Sequence, residues 1–349
     1  MRTASRFLFA SLAGGLLTAC AGLAPDPGRV LADDPKWEEV SRAGIFSSEG
    51  VVAAKDGAIY TVDLTVAEAV KQNNPGGTVY KYDPATGATT KYLEPSGMAF
   101  GLHVDRNGDL ILAQGAEPPG GRAVVRRNLA TGATKLLADS YQGKRLVAPN
   151  DVTSDARGRI YFTDARYFGR EPIELPNAVY RIDPDGRVTQ LAADILRPNG
   201  IEVSPDGKRL YVAACNVAAL PKNPVGPAED RFGIAGGGVV VYDLDANGEV
   251  SNGRVFYRDE LPCIDGMTMD TDGNLYAAAH NGRREPPAAE ILVLNPAGEV
   301  LQKILPPEGM RVSNLGFGRG ADSGTLYATT LFQWRLYRIR TVRRGHYFE

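Results

Sequence analysis

The stretch Leu146–Asp164, LVAPNDVTSDARGRIYFTD, decides how this chain is read. Two short segments, DVTSD and RIYFTD, alternate apolar and polar residues and are joined by Ala156, Arg157 and Gly158. The pattern predicts an antiparallel β-hairpin, because strand side chains alternate between faces and glycine supplies the positive φ of a tight turn. Asn150 and Asp151 stand at the mouth of this hairpin and bring oxygen donors to it.

The same hairpin recurs along the chain. Aligned on its glycine, the copies read KDGAIYTVD at Gly57, RNGDLILAQ at Gly108, ARGRIYFTD at Gly158, PDGKRLYVA at Gly207, TDGNLYAAA at Gly273 and DSGTLYATT at Gly324. Successive glycines are 51, 50, 49, 66 and 51 residues apart. The first five copies are each followed by a second run of alternating residues, such as TVYKYDPATGATTKYL and AVYRIDPDGRVTQLA. Four strands in about 50 residues is the size of one propeller blade. The chain is therefore expected to be all-β, a six-bladed β-propeller with four antiparallel strands per blade. The last copy lacks a convincing fourth strand in RLYRIRTVRRGHYFE. A strand drawn from Trp37–Gly44 is expected to complete that blade and close the ring, leaving no open edge.

The chain has 349 residues and a formal charge of −2, or −4 without the first nineteen residues, which carry Arg2 and Arg6. Such a balance offers no basic face, so nucleic acid is not an expected partner. Arg2 and Arg6 precede FLFASLAGGLL, an apolar run too short to cross a bilayer as a helix and suited to a targeting segment. Leu17, Thr18, Ala19 and Cys20 resemble the lipobox of bacterial lipoproteins. That resemblance implies a signal peptide over residues 1–19, lipidation at Cys20, a tether over 20–36 and the propeller over 37–349. It also implies a bacterial envelope location facing the periplasm, with membrane contact only through the lipid. Export would permit a disulfide between Cys215 and Cys263, but small residues in strand-like segments are more often plain buried thiols, and the sequence leaves their pairing open. No Cys and His cluster has zinc-ligand spacing.

The candidate site comes from the repeat. Eight residues before the hairpin glycine, at the channel-side entry to the first strand, stand Glu49, Asn150, Asn199 and Asp265. The second copy has Phe100 there and the sixth Gly316, with Asn314 in its place if the sixth turn is two residues longer. Equivalent positions in a propeller converge on one axis. Two carboxylates and two carboxamides pointing into one channel mouth would stand desolvated and mutually repelled unless a cation lay between them. An all-oxygen donor set suits Ca²⁺. Asn and Asp before glycine are also common turn formers, and it is the shared offset that favours a metal site.

The segments SEGVV, APNDV, RPNGI and CIDGM resemble the motifs of the SMP-30/gluconolactonase family. The resemblance spans about Phe46 to Thr330. It implies a six-bladed propeller that hydrolyses lactones, with Glu49, Asn150, Asn199 and Asp265 holding a divalent cation. Ca²⁺ is the expected ion, and Mg²⁺, Mn²⁺ or Zn²⁺ also serve in the family. Asp265 is the candidate base and Asp151 a neighbour of the ligands or a substrate contact. Animal sugar-lactone members carry an Arg two residues before the first Asn, where this chain has Ala148, and related paraoxonases carry a His where it has Phe100. Phe100, Tyr167 and His280 are further candidate substrate contacts, with Phe168 and Phe232 as candidate pocket walls. His280 opens a loop, so a solvated histidine is the plainer reading, and His103 is read as packing between blades. A lactone or similar small ester is the expected partner, acted on by a monomer or weak dimer. The competing readings are an envelope scaffold whose Ca²⁺ is structural and a phosphotriesterase-like hydrolase.

Overall fold

The computed structural model describes residues 28–64, 76–115, 120–167, 172–217, 225 and 231–349. The expected signal peptide, Cys20, Phe168 and residues 20–27 of the tether lie outside these residues, as do parts of four loops on the site face.

The architecture is all-β and propeller-like, and the single helical element described is a 3₁₀ turn at Gly320–Asp322. Among the described residues four sheets have four strands each, a fifth has eight, and Ser140–Tyr141 pairs with Lys144–Arg145 in a two-stranded sixth. The first strands are Ser48–Ala53, Ala99–Val104, Pro149–Ser154, Pro198–Val203, Cys263–Met269 and Val312–Phe317. Each contacts the next around a closed circle, the last returning to the first. Separate sheets were expected throughout. Instead, the runs Pro198–Arg258 and Cys263–Ile304 share one sheet, joined at the single pair Cys215↔Cys263. The N-terminal strand Glu38–Ser41 lies antiparallel to Leu336–Arg340 and forms the outer edge of the last sheet.

The hairpin turns form for a local reason. In the opening stretch, Asp155 accepts hydrogen bonds from the backbone N–H groups of Arg157 and Arg159, while Gly158 takes φ +79°. A short carboxylate side chain thus mimics a backbone turn, and glycine absorbs the left-handed residue without strain. Asp105 and Asp270 repeat the device.

The second strand of the hairpin anchors the loop that enters the first. Asp63 accepts backbone N–H bonds from Ile45, Phe46 and Ser47, and Asp164 accepts them from Val147 and Ala148. Gln114 does the equivalent by donating to the Ser96 carbonyl. All three stand six residues after a hairpin glycine. The apolar core lies between neighbouring sheets, as in the cluster of Val152, Phe162 and Tyr180 with Ile111 and Val124.

Cys215 and Cys263 form a disulfide, a pairing that the sequence leaves open. Cys215 ends one strand and Cys263 begins the first strand of the following unit. Adjacency of two neighbouring units creates this pairing, and no local pattern in either segment announces it.

Candidate active site

Every first strand carries a β-bulge at the same place: between Ser48 and Val51, Ala99 and Leu102, Pro149 and Val152, Pro198 and Ile201, Ile264 and Met267, and Val312 and Leu315. A bulge sets two residues against one on the partner strand and re-aims their side chains. The leading bulge residues are Glu49, Phe100, Asn150, Asn199, Asp265 and Ser313. The sixth position is therefore Ser313 and neither Gly316 nor Asn314. The reason is turn length: Phe317↔Leu326 encloses eight residues, whereas Ser154↔Ile160 encloses five.

The second bulge residue is glycine in four of the six strands, and close approach explains it. A Cβ on Gly50 would lie 2.5 Å from the Phe100 carbonyl oxygen, and one on Gly200 would lie 2.4 Å from that of Asp265. Asp151 and Asn314 take this position in the other two strands and behave alike. The Oδ1 of each accepts the next residue's N–H, and the backbone N–H of each donates to a threonine hydroxyl, Thr163 and Thr329 respectively. Thr163 also donates to the Asn199 carbonyl at 2.7 Å, which ties the strand of Asn150 to that of Asn199.

Glu49, Asn150, Asn199 and Asp265 line one cavity of about 500 Å³, together with Phe100, Tyr167 and His280. Asp151 does not. It faces a small chamber of about 40 Å³ within the channel, beside His103, Thr153 and Glu202, so it is not placed to touch a substrate in the cavity. Phe232 is also absent from the cavity wall and packs edge-on against Tyr242. Ala148 is buried, and its N–H is bound to Asp164.

His280 differs from its expected place in a solvated loop. It is buried, ends the strand Leu275–His280 and pairs in register with Cys263. Its Nδ1 accepts the Gly282 N–H at 2.9 Å, which assigns the proton of the neutral ring to Nε2. Nε2 then donates to Asp265 Oδ2 at 3.0 Å. Histidine thus orients the carboxylate, a role that becomes visible only once the strand is known to extend through position 280. Tyr167 is buried, and its hydroxyl lies within hydrogen-bonding distance of the carbonyls of Arg197 and Pro198.

The electrostatics are those of uncompensated acids. Burial first, then the charges of Asp265 and Asp151, push the Glu49 carboxyl well above the ordinary carboxylate range. Among the described residues Glu49 has no salt-bridge partner. Beneath it, burial raises Asp151 to about 7 and Glu202 to about 8, with the neighbouring carboxylates adding to both shifts. His103 is driven down to about 3 by burial and by Arg319, and its Nε2 pairs with Ser154 Oγ at 2.8 Å, consistent with packing inside the channel.

Cys263, Asp265 and His280 bring one ligand-type atom each to within 4.8 Å of one another. The Cys263 sulfur is committed to the disulfide, however, and a metal-ligating cysteine must be a thiolate. The donor set that fits a cation is instead the carboxylate and carboxamide ring at the cavity floor. Among the described residues Glu49 has no ion-pair partner and Asp265 meets only the His280 imidazole, a condition that favours a hard divalent ion.

Fold and site together define a propeller-like domain with a small-molecule cavity at its channel mouth. The chain belongs to the SMP-30/Gluconolactonase/LRE-like family, whose pattern matches residues 47–332. It is 30% identical to a gluconolactonase of Zymomonas mobilis over 91% of this chain and 82% of that protein. An X-ray structure assigned as a gluconolactonase by its protein family superposes with a TM-score of 0.72 at 25% identity, covering 93% of this chain and 98% of the other. Regucalcin of Agrobacterium tumefaciens, described as a calcium-binding protein, shares the fold with a TM-score of 0.64 at 18% identity, covering 88% and 95%.

Proposed function

We propose that this protein is a lactonase, a carboxylic ester hydrolase that opens a lactone ring at the floor of the 500 Å³ cavity. The observation that carries the reading is the convergence of Glu49, Asn150, Asn199 and Asp265 from four equivalent bulges on one apolar-walled cavity. Kinship with a gluconolactonase over nearly the whole chain supports it. We read the architecture as six blades, counting the eight-stranded sheet as two, because its halves share only the Cys215↔Cys263 pair. We also propose that residues 1–19 are a signal peptide, that 20–36 form a tether and 37–349 the propeller, and that Cys20 carries a lipid facing the periplasm. Palmitate incorporation that persists in Cys20→Ser would contradict the anchor.

Glu49, Asn150, Asn199 and Asp265 would hold a divalent cation, and Ca²⁺ suits these all-oxygen donors. The calcium-binding description of the Agrobacterium neighbour supports that choice. When bound, the ion would supply Lewis-acid polarisation of the lactone carbonyl. Asp265 accepts a proton from the water that attacks the carbonyl carbon. His280 holds Oδ2 of that carboxylate in place, leaving Oδ1 as the oxygen the imidazole does not engage. As the acyl C–O bond breaks, the proton returns to the ring oxygen. The product is a hydroxy acid, which releases one proton at neutral pH.

Purified protein is expected to acidify a weakly buffered panel of γ- and δ-lactones faster than the uncatalysed rate. No acceleration on any lactone, by a folded protein that binds Ca²⁺, would favour a scaffold instead.

A further inference from the structure

The cavity walls above the floor are apolar. Phe46, Leu64, Phe100, Val217, Leu331 and Phe332 form them among the described residues. The polar side chains between them are largely committed. Tyr167 is engaged by the backbone carbonyls of Arg197 and Pro198, His280 by Asp265 and Gly282, and Ser47 Oγ accepts the Phe332 N–H at 3.2 Å. At the rim stand Arg283 and Arg284, exposed and able only to donate. A polyhydroxylated lactone would bring several hydroxyl donors against a wall that has, among the described residues, almost no side-chain acceptor, and each unpaired group would be desolvated without return.

Two aromatic rings are fixed in position. Phe332 has φ +62°, a left-handed conformation costly for a bulky aromatic residue and one that persists only where surroundings enforce it. Here the Phe332 N–H is pinned by Ser47, and the guanidiniums of Arg283 and Arg311 lie 4.8 and 5.8 Å from its ring centre. Phe100 occupies the bulge position that holds an oxygen donor in five of the six strands. A Cβ on Gly115 would lie 2.5 Å from its ring, so the glycine makes room for that ring. One donor position has become wall, and a strained backbone turns a second aromatic towards the same space.

We propose that this cavity selects lactones bearing an apolar alkyl or aryl substituent over polyhydroxylated sugar lactones, an inference that rests on the lactonase reading above. The substituent lies against Phe46, Phe100 and Phe332 while the ring carbonyl faces the floor. Apolar pockets discriminate by roughly 10–200-fold for each methylene gained or lost, so a five-carbon chain is ample to set the preference.

The test compares three six-membered lactones on the Ca²⁺-loaded protein: δ-valerolactone, δ-decalactone and glucono-δ-lactone, each rate divided by its uncatalysed rate. The expected kcat/KM for δ-decalactone exceeds that for glucono-δ-lactone by at least about 100-fold. Phe332→Ala lowers the value for δ-decalactone at least about tenfold more than for δ-valerolactone. A preference for glucono-δ-lactone, or equal losses on both lactones in Phe332→Ala, would overturn the apolar assignment and leave the lactonase reading intact. Turnover of none of the three would overturn both.

Discussion

Asp265→Asn is expected to lower kcat/KM for lactone hydrolysis by about 10³-fold with the fold unchanged, since a positioned general base contributes roughly 10²–10⁴. Asparagine keeps the size of the side chain, so the bulge between Ile264 and Met267 and the close contact at Gly200 need not alter. What is lost is the basic oxygen and half of the anionic charge that Asp265 and Glu49 together bring to the floor. His280 can still donate to the carboxamide oxygen, so the geometry set by the 3.0 Å bond survives while the chemistry does not. Steady-state kinetics with circular dichroism as a control measures this. A variant within tenfold of the parent would remove Asp265 from the role of base.

Glu49→Gln is expected to act in opposite directions on binding and on stability. Removing one of two carboxylates should weaken Ca²⁺ binding by at least about 100-fold, because charge count in the donor set tunes affinity. The metal-free protein should respond the other way. Burial and the neighbouring acids hold the folded carboxyl of Glu49 well above the ordinary range, so folded protein keeps a proton that the unfolded chain has released. Between the unfolded and folded values the native state binds more protons, and stability conferred by this group falls as pH rises. Glutamine does not titrate, so metal-free Glu49→Gln should be more stable than the metal-free parent at pH 8 and should lose part of its pH slope. Calorimetric Ca²⁺ titration and chemical denaturation at two pH values read both effects. Unchanged Ca²⁺ affinity would dissolve the proposed ligand set.

The repeat makes much of this molecule legible in its sequence. Counting eight residues back from a hairpin glycine lands on Glu49, Phe100, Asn150 and Asp265 because those four hairpins enclose five residues between their paired ends, as in Ala53↔Ile59 and Met269↔Leu275. The fourth hairpin is one residue longer, between Val203 and Leu210, but its extra residue follows the glycine and leaves the count intact. In the sixth the 3₁₀ turn Gly320–Asp322 adds three residues, and the count misses Ser313.

Other features that the sequence does not announce share a tertiary origin. HNGRREPP has the composition of a loop, but cross-strand pairing with Cys263 carries the strand through His280 and buries it against Asp265. The Cys215–Cys263 bridge depends on two units meeting at one residue pair. Asn150 and Asp151 are adjacent in sequence, and only the bulge shows that the first belongs to the cavity and the second to the channel beneath. The anchoring residues Asp63, Gln114 and Asp164 did leave a signal, a polar residue six positions after the glycine.

The central claim is that a divalent cation on these four residues runs lactone hydrolysis. The direct test follows acid release from δ-decalactone by protein stripped of metal with a chelator, dialysed, and titrated with Ca²⁺. The account predicts that stripping abolishes turnover and that Ca²⁺ restores it in the parent but not in Glu49→Gln. Full activity in the stripped protein would contradict it.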